Sequence, residues 1–170
     1  DDGLDSAIEM AEKMLSQGEH AEALEIFSAI VSEDPKNLKG YSGMIRSHLL
    51  LGELEQANDI ISGLPNEIKD NPELRPIKAQ VELVTEAEGY GSVEDLEKIV
   101  ASEPENYQAS MELALAKNAK GNCESAIETL LDILKHDLEW NSGEAKAQLL
   151  KILDSMNRRK GKLLDLKDTG

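Results

Sequence analysis

Residues 4–37 read LDSAIEMAEKMLSQGEHAEALEIFSAIVSEDPKN, and this stretch decides the architecture. Leu4, Ile8, Ala11, Met14 and Leu15 recur every three or four positions, the apolar stripe of an amphipathic helix. Gly18 breaks that stripe. Ala21, Leu24, Phe27, Ala29, Ile30 and Val31 form a second, broader one. Asp34-Pro35 closes it, because the residue before a proline is pushed out of the α region. The unit is thus two helices joined at a glycine.

The unit returns along the chain. Gly18 and Gly52 are 34 residues apart, as are Ala23 and Ala57, and Phe27 and Ile61. A further 69 residues carries Gly52 to Gly121 and Ala57 to Ala126, and the same 69 separates Pro35 from Pro104. One intervening unit with a single extra residue explains every offset. The frames are about 4–37, 38–71, 72–106 and 107–139. In the second, Leu54, Ala57, Ile60, Ile61 and Leu64 form the second stripe. The third opens at Asn71-Pro72, an N-cap with proline at the first helical position. It restarts after Gly89-Tyr90-Gly91 with Ser92 through Asp95, an approximate capping box.

Two helices per 34 residues is the tetratricopeptide (TPR) unit. The expected fold class is all-α: a TPR-like α-solenoid of four helix-hairpin repeats with a C-terminal capping helix. Small residues let paired helices approach, so Ala11 should face Ala23 and Ala114 should face Ala126. Ile45 stands opposite Ala57, and Gln80 opposite Ser92, so the middle repeats should be more splayed or offset. Trp140-Asn141-Ser142-Gly143 reads as a break with an N-cap, followed by the stripe Ala145, Leu149, Leu150, Ile152 and Leu153. This is a cap over the last repeat, at about 142–156, with Trp140 plugging the seam. The expectation is one domain over 1–156 and a basic tail over 157–170, the tail being either a short helix or without fixed structure.

Composition narrows the function. The chain has 170 residues, 34 Asp+Glu against 18 Lys+Arg and a net charge of −16, which repels phosphate. No nucleic acid and no membrane partner is therefore expected. Hydrophobic residues make up 40%, enough for a core despite the charge. Residues 1–34 carry ten acids against Lys13, whereas 151–170 carry Lys151, Arg158, Arg159, Lys160, Lys162 and Lys167 against three acids. No apolar run approaches the ~18 residues that span a bilayer, and no secretory apolar segment is present. The expected location is cytoplasmic. Position 1 is not Met, so a piece of a longer chain is the expectation.

Catalytic signatures are missing. The sequence has no G-x-x-x-x-G-K-[ST] loop, no G-x-G-x-x-G, no H-E-x-x-H and no G-x-S-x-G. His20, His48 and His136 show no ligand spacing, so neither a metal nor a cofactor is expected. The single cysteine, Cys123, excludes an internal disulfide and a cysteine-based zinc site. It sits at a helix start, where a thiol can be activated, but Glu124 is adjacent and no partner cysteine exists. The expectation is a non-catalytic protein whose work lies in its surface.

That surface is expected on the first helix of each hairpin. The partner-binding groove should be lined by Ile8, Glu12, Leu15, Ser42, Arg46, Leu49, Ile77, Lys78, Val81, Val84, Met111, Leu115 and Asn118. This set is mostly aliphatic and would suit extended apolar segments, whose burial contributes roughly 25 cal/mol per Å². TPR domains that clamp a chaperone's C-terminal carboxylate use Lys and Asn at set positions. Ile8, Glu12, Ser42 and Arg46 stand there instead, so that clamp is missing.

Glu103-Pro104-Glu105-Asn106, the run Leu113 through Ala116, Gly121 through Ala126 and Leu130-Leu131 lead into Asp137-x-x-Trp140-Asn141 and Gln148-Leu149-Leu150. Together with Ala79-x-Val81-Glu82-Leu83, these resemble the TPR region of bacterial thioredoxin–TPR chaperones, the chaperedoxins. In that family a thioredoxin-fold domain precedes the TPR region. The resemblance implies that this chain holds unfolded or partly folded proteins and passes them to the chaperonin or the Hsp70 system. It implies no redox activity here, since the thioredoxin domain is absent from these residues. Arg158, Arg159, Leu163 and Leu164 resemble a shortened form of the family's C-terminal partner contact. The alternative reading is a TPR adaptor for a single partner peptide in another assembly.

Overall fold

The computed structural model describes residues 2–156, and every described element of regular structure is helical. The first hairpin is α1 (Asp2–Ser16) and α2 (His20–Glu33), and the second α3 (Leu38–Leu50) and α4 (Leu54–Ser62). A 3₁₀ turn, Pro72–Leu74, leads into α5 (Arg75–Ala87), followed by α6 (Val93–Ser102). Then come α7 (Tyr107–Ala119), α8 (Cys123–His136), a second 3₁₀ turn Trp140–Gly143, and α9 (Glu144–Ser155). The fold class is all-α, built of TPR-like helix hairpins. No described helix is long and apolar enough to cross a membrane. The expected tail, with Arg158, Arg159, Leu163 and Leu164, lies outside the described residues.

Three hairpins turn by the same device. Gly18, Gly52 and Gly121 have φ of +84°, +78° and +91°. At each, the glycine N–H donates to the carbonyl three residues back, and the next N–H reaches five back: Glu19 to Met14, Glu53 to His48, Asn122 to Lys117. This is the Schellman closure, which satisfies the last carbonyls of the first helix and needs a left-handed residue. Gly89 and Gly91 do not adopt positive φ, and α5 and α6 are separated by the longer segment 88–92. The third hairpin thus lacks the tight turn. Leu96 of α6 packs on Leu113 and Ala116 of α7.

Helix starts and stops follow local chemistry. Asn37, Asn71, Ser92 and Asn106 accept hydrogen bonds from the backbone N–H groups of Gly40, Glu73, Asp95 and Ala109. Asp34 and Glu103, each before a proline, leave the helical region and end α2 and α6. Two expectations need correction. Leu64 is buried but lies past the end of α4, because Gly63-Leu64-Pro65 stops the helix two residues earlier. Gly143, not a side-chain donor or acceptor, stands at the N-cap of α9, after Asn141 and Ser142 take left-handed φ of 48° and 58°.

Packing forms two compact units dividing between Val81 and Glu82, inside α5. In the first, Ile8, Ala11, Ala23, Phe27 and Ile30 make one core. Ile45, Ala57, Ile77 and Val81 make a second, and Leu64, Ile68 and Leu74 a third. In the second unit, Leu83, Met111, Ala114, Leu115, Ala126, Leu130, Ile133, Ala145 and Ile152 form the main core. Burying each large side chain of this set contributes about 1.5–3 kcal/mol. Ala11 with Ala23, and Ala114 with Ala126, are fully buried at their hairpin contacts, as the sequence requires. Trp140 packs on the main core with its ring edge-on to Tyr107, centroids 6.3 Å apart.

Candidate protein-binding surfaces

The expected groove is largely closed by the protein's own core. Ile8, Ile77, Val81, Met111 and Leu115 are buried, as is Ser42, and none can meet a partner. The cause is geometric. α3 is covered by α2 and α4, and α7 by α6 and α8, so their apolar arcs are wider than one face; Ile8 packs into the first hairpin's own core, and Ile77 and Val81 pack on Ile45 and Ala57. Leu15 and Leu49 pack half-buried against their clusters. Lys78 donates its ammonium to the Lys69 carbonyl, Arg46 is also engaged, and both are half-buried. Val84 and Asn118 are half-buried, and Glu12 is exposed.

Apolar surface opens elsewhere. In the second unit, Leu131 is 41% exposed, Leu150 53% and Leu153 44%. Ile127 and Leu134, one turn either side of Leu131, pack half-buried against the main core, as do Leu149 and Met156. Leu153 lies one turn beyond Leu149 on α9. Leu150 lies one turn before Leu153 on the same helix. In the first unit Met10, Leu50 and Leu51 are exposed.

A polar cluster also lies in the second unit. Tyr90 donates its hydroxyl to Glu86 Oε1 at 3.1 Å. Gln148 Nε2 donates to both oxygens of Glu86, at 2.9 and 3.1 Å. Lys151 of α9 pairs with Glu82 of α5 at 2.9 Å. Burial, followed by the negative charge of Glu86, pushes the Tyr90 hydroxyl up to about 12; Glu112 and Glu144 lie close enough to add to the effect. Sequence reasoning missed this cluster.

The remaining candidates stand apart. His48 Nδ1 lies 3.0 Å from Glu53 Oε1 across the Gly52 turn. His136 hydrogen-bonds the Asp132 carbonyl at 2.8 Å, and His20 opens α2. Cys123 is half-buried against the main core. Among the described residues, no group of three His, Cys, Asp or Glu side chains is placed to hold a metal ion.

Two family models, each described as tetratricopeptide repeat, match residues 14–81 and 86–161. Both halves of the chain carry tetratricopeptide repeats. Repeats of this kind bind protein partners. An uncharacterised protein of Haemophilus influenzae is 29% identical over 110 residues, covering 65% of this chain and 50% of that protein. The chain thus spans about half the length of the curated relative it matches. A crystal structure of a domain of unknown function from Vibrio parahaemolyticus shares 28% identity, covering 89% of this chain and 88% of that one, with a TM-score of 0.42. A MamA double mutant shares 16%, covering 95% and 98%, with a TM-score of 0.46.

Proposed function

We propose that this TPR chain is a non-catalytic scaffold that holds partly folded proteins, as the client- and chaperonin-binding region of a cytoplasmic thioredoxin–TPR chaperone. The supporting observation is the exposure of three leucines of the second unit, Leu131 on α8 and Leu150 and Leu153 on α9, here called the leucine rim. Large aliphatic side chains left open beside a packed seam are available to apolar segments of other proteins. The chaperone assignment draws on the sequence resemblance around Asp137, Trp140 and Gln148-Leu149-Leu150. The groove first expected on the hairpins' leading helices is replaced in this reading by the α8–α9 rim.

Light scattering from a heat-aggregating client, with and without the chain, tests holding. Suppression at near-stoichiometric ratios is the expected result. Absence of suppression, with no capture of chaperonin by the chain, removes the chaperone role and leaves the repeat fold intact.

A further inference from the structure

The outer face of α9 is not the polar surface that a solenoid's closing helix needs. A capping element keeps a repeat array soluble by turning polar residues outward. On α9 the exposed residues are Lys146, Ala147, Leu150, Leu153 and Asp154. Leu150 and Leu153 are about half open to solvent, at 53% and 44%. With 3.6 residues per turn, the five span an arc of about 120° with Leu150 at its middle.

This arc is complementary to itself. Lys146 lies four residues before Leu150, and Asp154 four after; Ala147 lies three before, and Leu153 three after. A second copy of α9, turned antiparallel about a two-fold axis at Leu150, sets Leu150 on Leu150. It brings Lys146 of each copy beside Asp154 of the other, and gives Leu153 the space over the small Ala147. Such an isologous contact closes at two copies. Laying the i, i+4 rows of two helices side by side is the commonest packing class, with a crossing angle of about −50°.

The two charges are also set against the helix's own field. Lys146 stands in the first turn, where the dipole favours anions, and Asp154 in the last, where it favours cations. Among the described residues, Lys146 makes no ion pair. Asp154 is engaged within its own chain but is exposed, and a carboxylate can accept from more than one donor. The stability of α9 alone does not account for this order of charges. A second α9 does.

We propose that the outer face of α9 is a self-association surface, and that its occupant is the α9 of a second copy of this chain. One helix face per copy is a small interface, below about 1,200 Å², so the dimer is weak and forms in the micromolar range. If clients bind the leucine rim, pairing withholds Leu150 and Leu153 from them, a consequence that rests on the function proposed above.

The test is sedimentation of the full-length chain from about 1 to 300 μM. Salt at about 0.15 M screens the repulsion between two chains of charge −16 to roughly 8 Å while leaving contact pairs. A concentration-dependent dimer is expected. Lys146→Asp and Asp154→Lys should each weaken it at least about threefold, because the two-fold axis counts each lost pair twice. Both substitutions suit the helix dipole, so neither should lower the melting temperature. The chain carrying both should recover the parental affinity. An equimolar mixture of the two single variants should pair more tightly than either alone. A parent that stays monomeric at about 300 μM overturns the proposal, as does a dimer that forms only once residues 157–170 are removed, which would make the chain's own tail the occupant. Association unchanged by Leu150→Asp, or single variants that neither weaken nor pair with each other, also overturns it. A monomer that still suppresses client aggregation sinks only the self-association; a charge-swappable dimer without suppression sinks only the chaperone reading.

Discussion

Gly43 on α3 lies against the ring of Phe27 on α2 so closely that a Cβ there would sit 2.2 Å from the ring's Cε1. Phe27 is fully buried, and the contact sets how near α3 approaches α2. A glycine inside a helix costs about 1 kcal/mol against alanine in propensity, so the close approach must outweigh that loss.

Gly43→Ala is therefore expected to destabilise the protein although it favours helix. Overpacking a core costs about 1–3 kcal/mol, more than the propensity gain. Chemical denaturation should show a lowered midpoint. Phe27→Leu in the Gly43→Ala background should recover part of the loss, because the space conflict is removed. A Gly43→Ala variant more stable than the parent would show that α3 is not held at this distance.

The glycines of the tight turns should behave differently. Nothing lies within 4 Å of a Cβ built on Gly18, Gly52 or Gly121, so only the left-handed backbone resists substitution. Gly121→Ala is expected to cost about 1–2 kcal/mol, and Gly121→Asn clearly less, since asparagine tolerates that conformation. Equal costs for both, measured by thermal unfolding, would contradict the Schellman account.

Tyr90 carries a pH signature. Its folded pKa of about 12 stands above the ordinary value of 10.0. The group's contribution to stability is thus complete below pH 10 and is lost as pH rises towards 12. The stability difference between the parent and Tyr90→Phe should be flat below pH 10 and shift against the parent above it. Absorbance at alkaline pH should lose one late tyrosine ionisation in the variant. Loss of an ordinary ionisation near pH 10, in place of a late one, would mean that burial and Glu86 do not hold the phenol neutral.

The hairpins were readable because their turns are chemistry written locally. Gly18, Gly52 and Gly121 each require a left-handed backbone, and prolines 35 and 104 stop helices by sterics alone. Faces were less readable. Apolar spacing marks Ile8, Ile77, Met111 and Leu115 as turned away from water, and it does not say whether a neighbouring helix or an open groove receives them. Pro65 was the available sign that α4 ends before Leu64. The cluster at Gln148 left no trace in the chain order. Glu86, Glu112 and Glu144 are three acids among 34, and only folding brings them to one tyrosine.

The leucine rim separates binding from stability, and this gives the sharpest test of the proposed role. Leu150 and Leu153 are about half exposed on α9, whereas Ile152 between them is fully buried. Leu150→Asp with Leu153→Asp should therefore change stability by about 0.5 kcal/mol or less per site, the range for surface substitutions. Ile152→Ala should cost about 2–5 kcal/mol through the cavity it leaves in the main core. If the rim holds clients, the double aspartate variant loses most suppression of client aggregation at unchanged melting temperature. If suppression survives in a folded double variant, the contact lies elsewhere, and the exposed Met10, Leu50 and Leu51 of the first unit become the surface to substitute next.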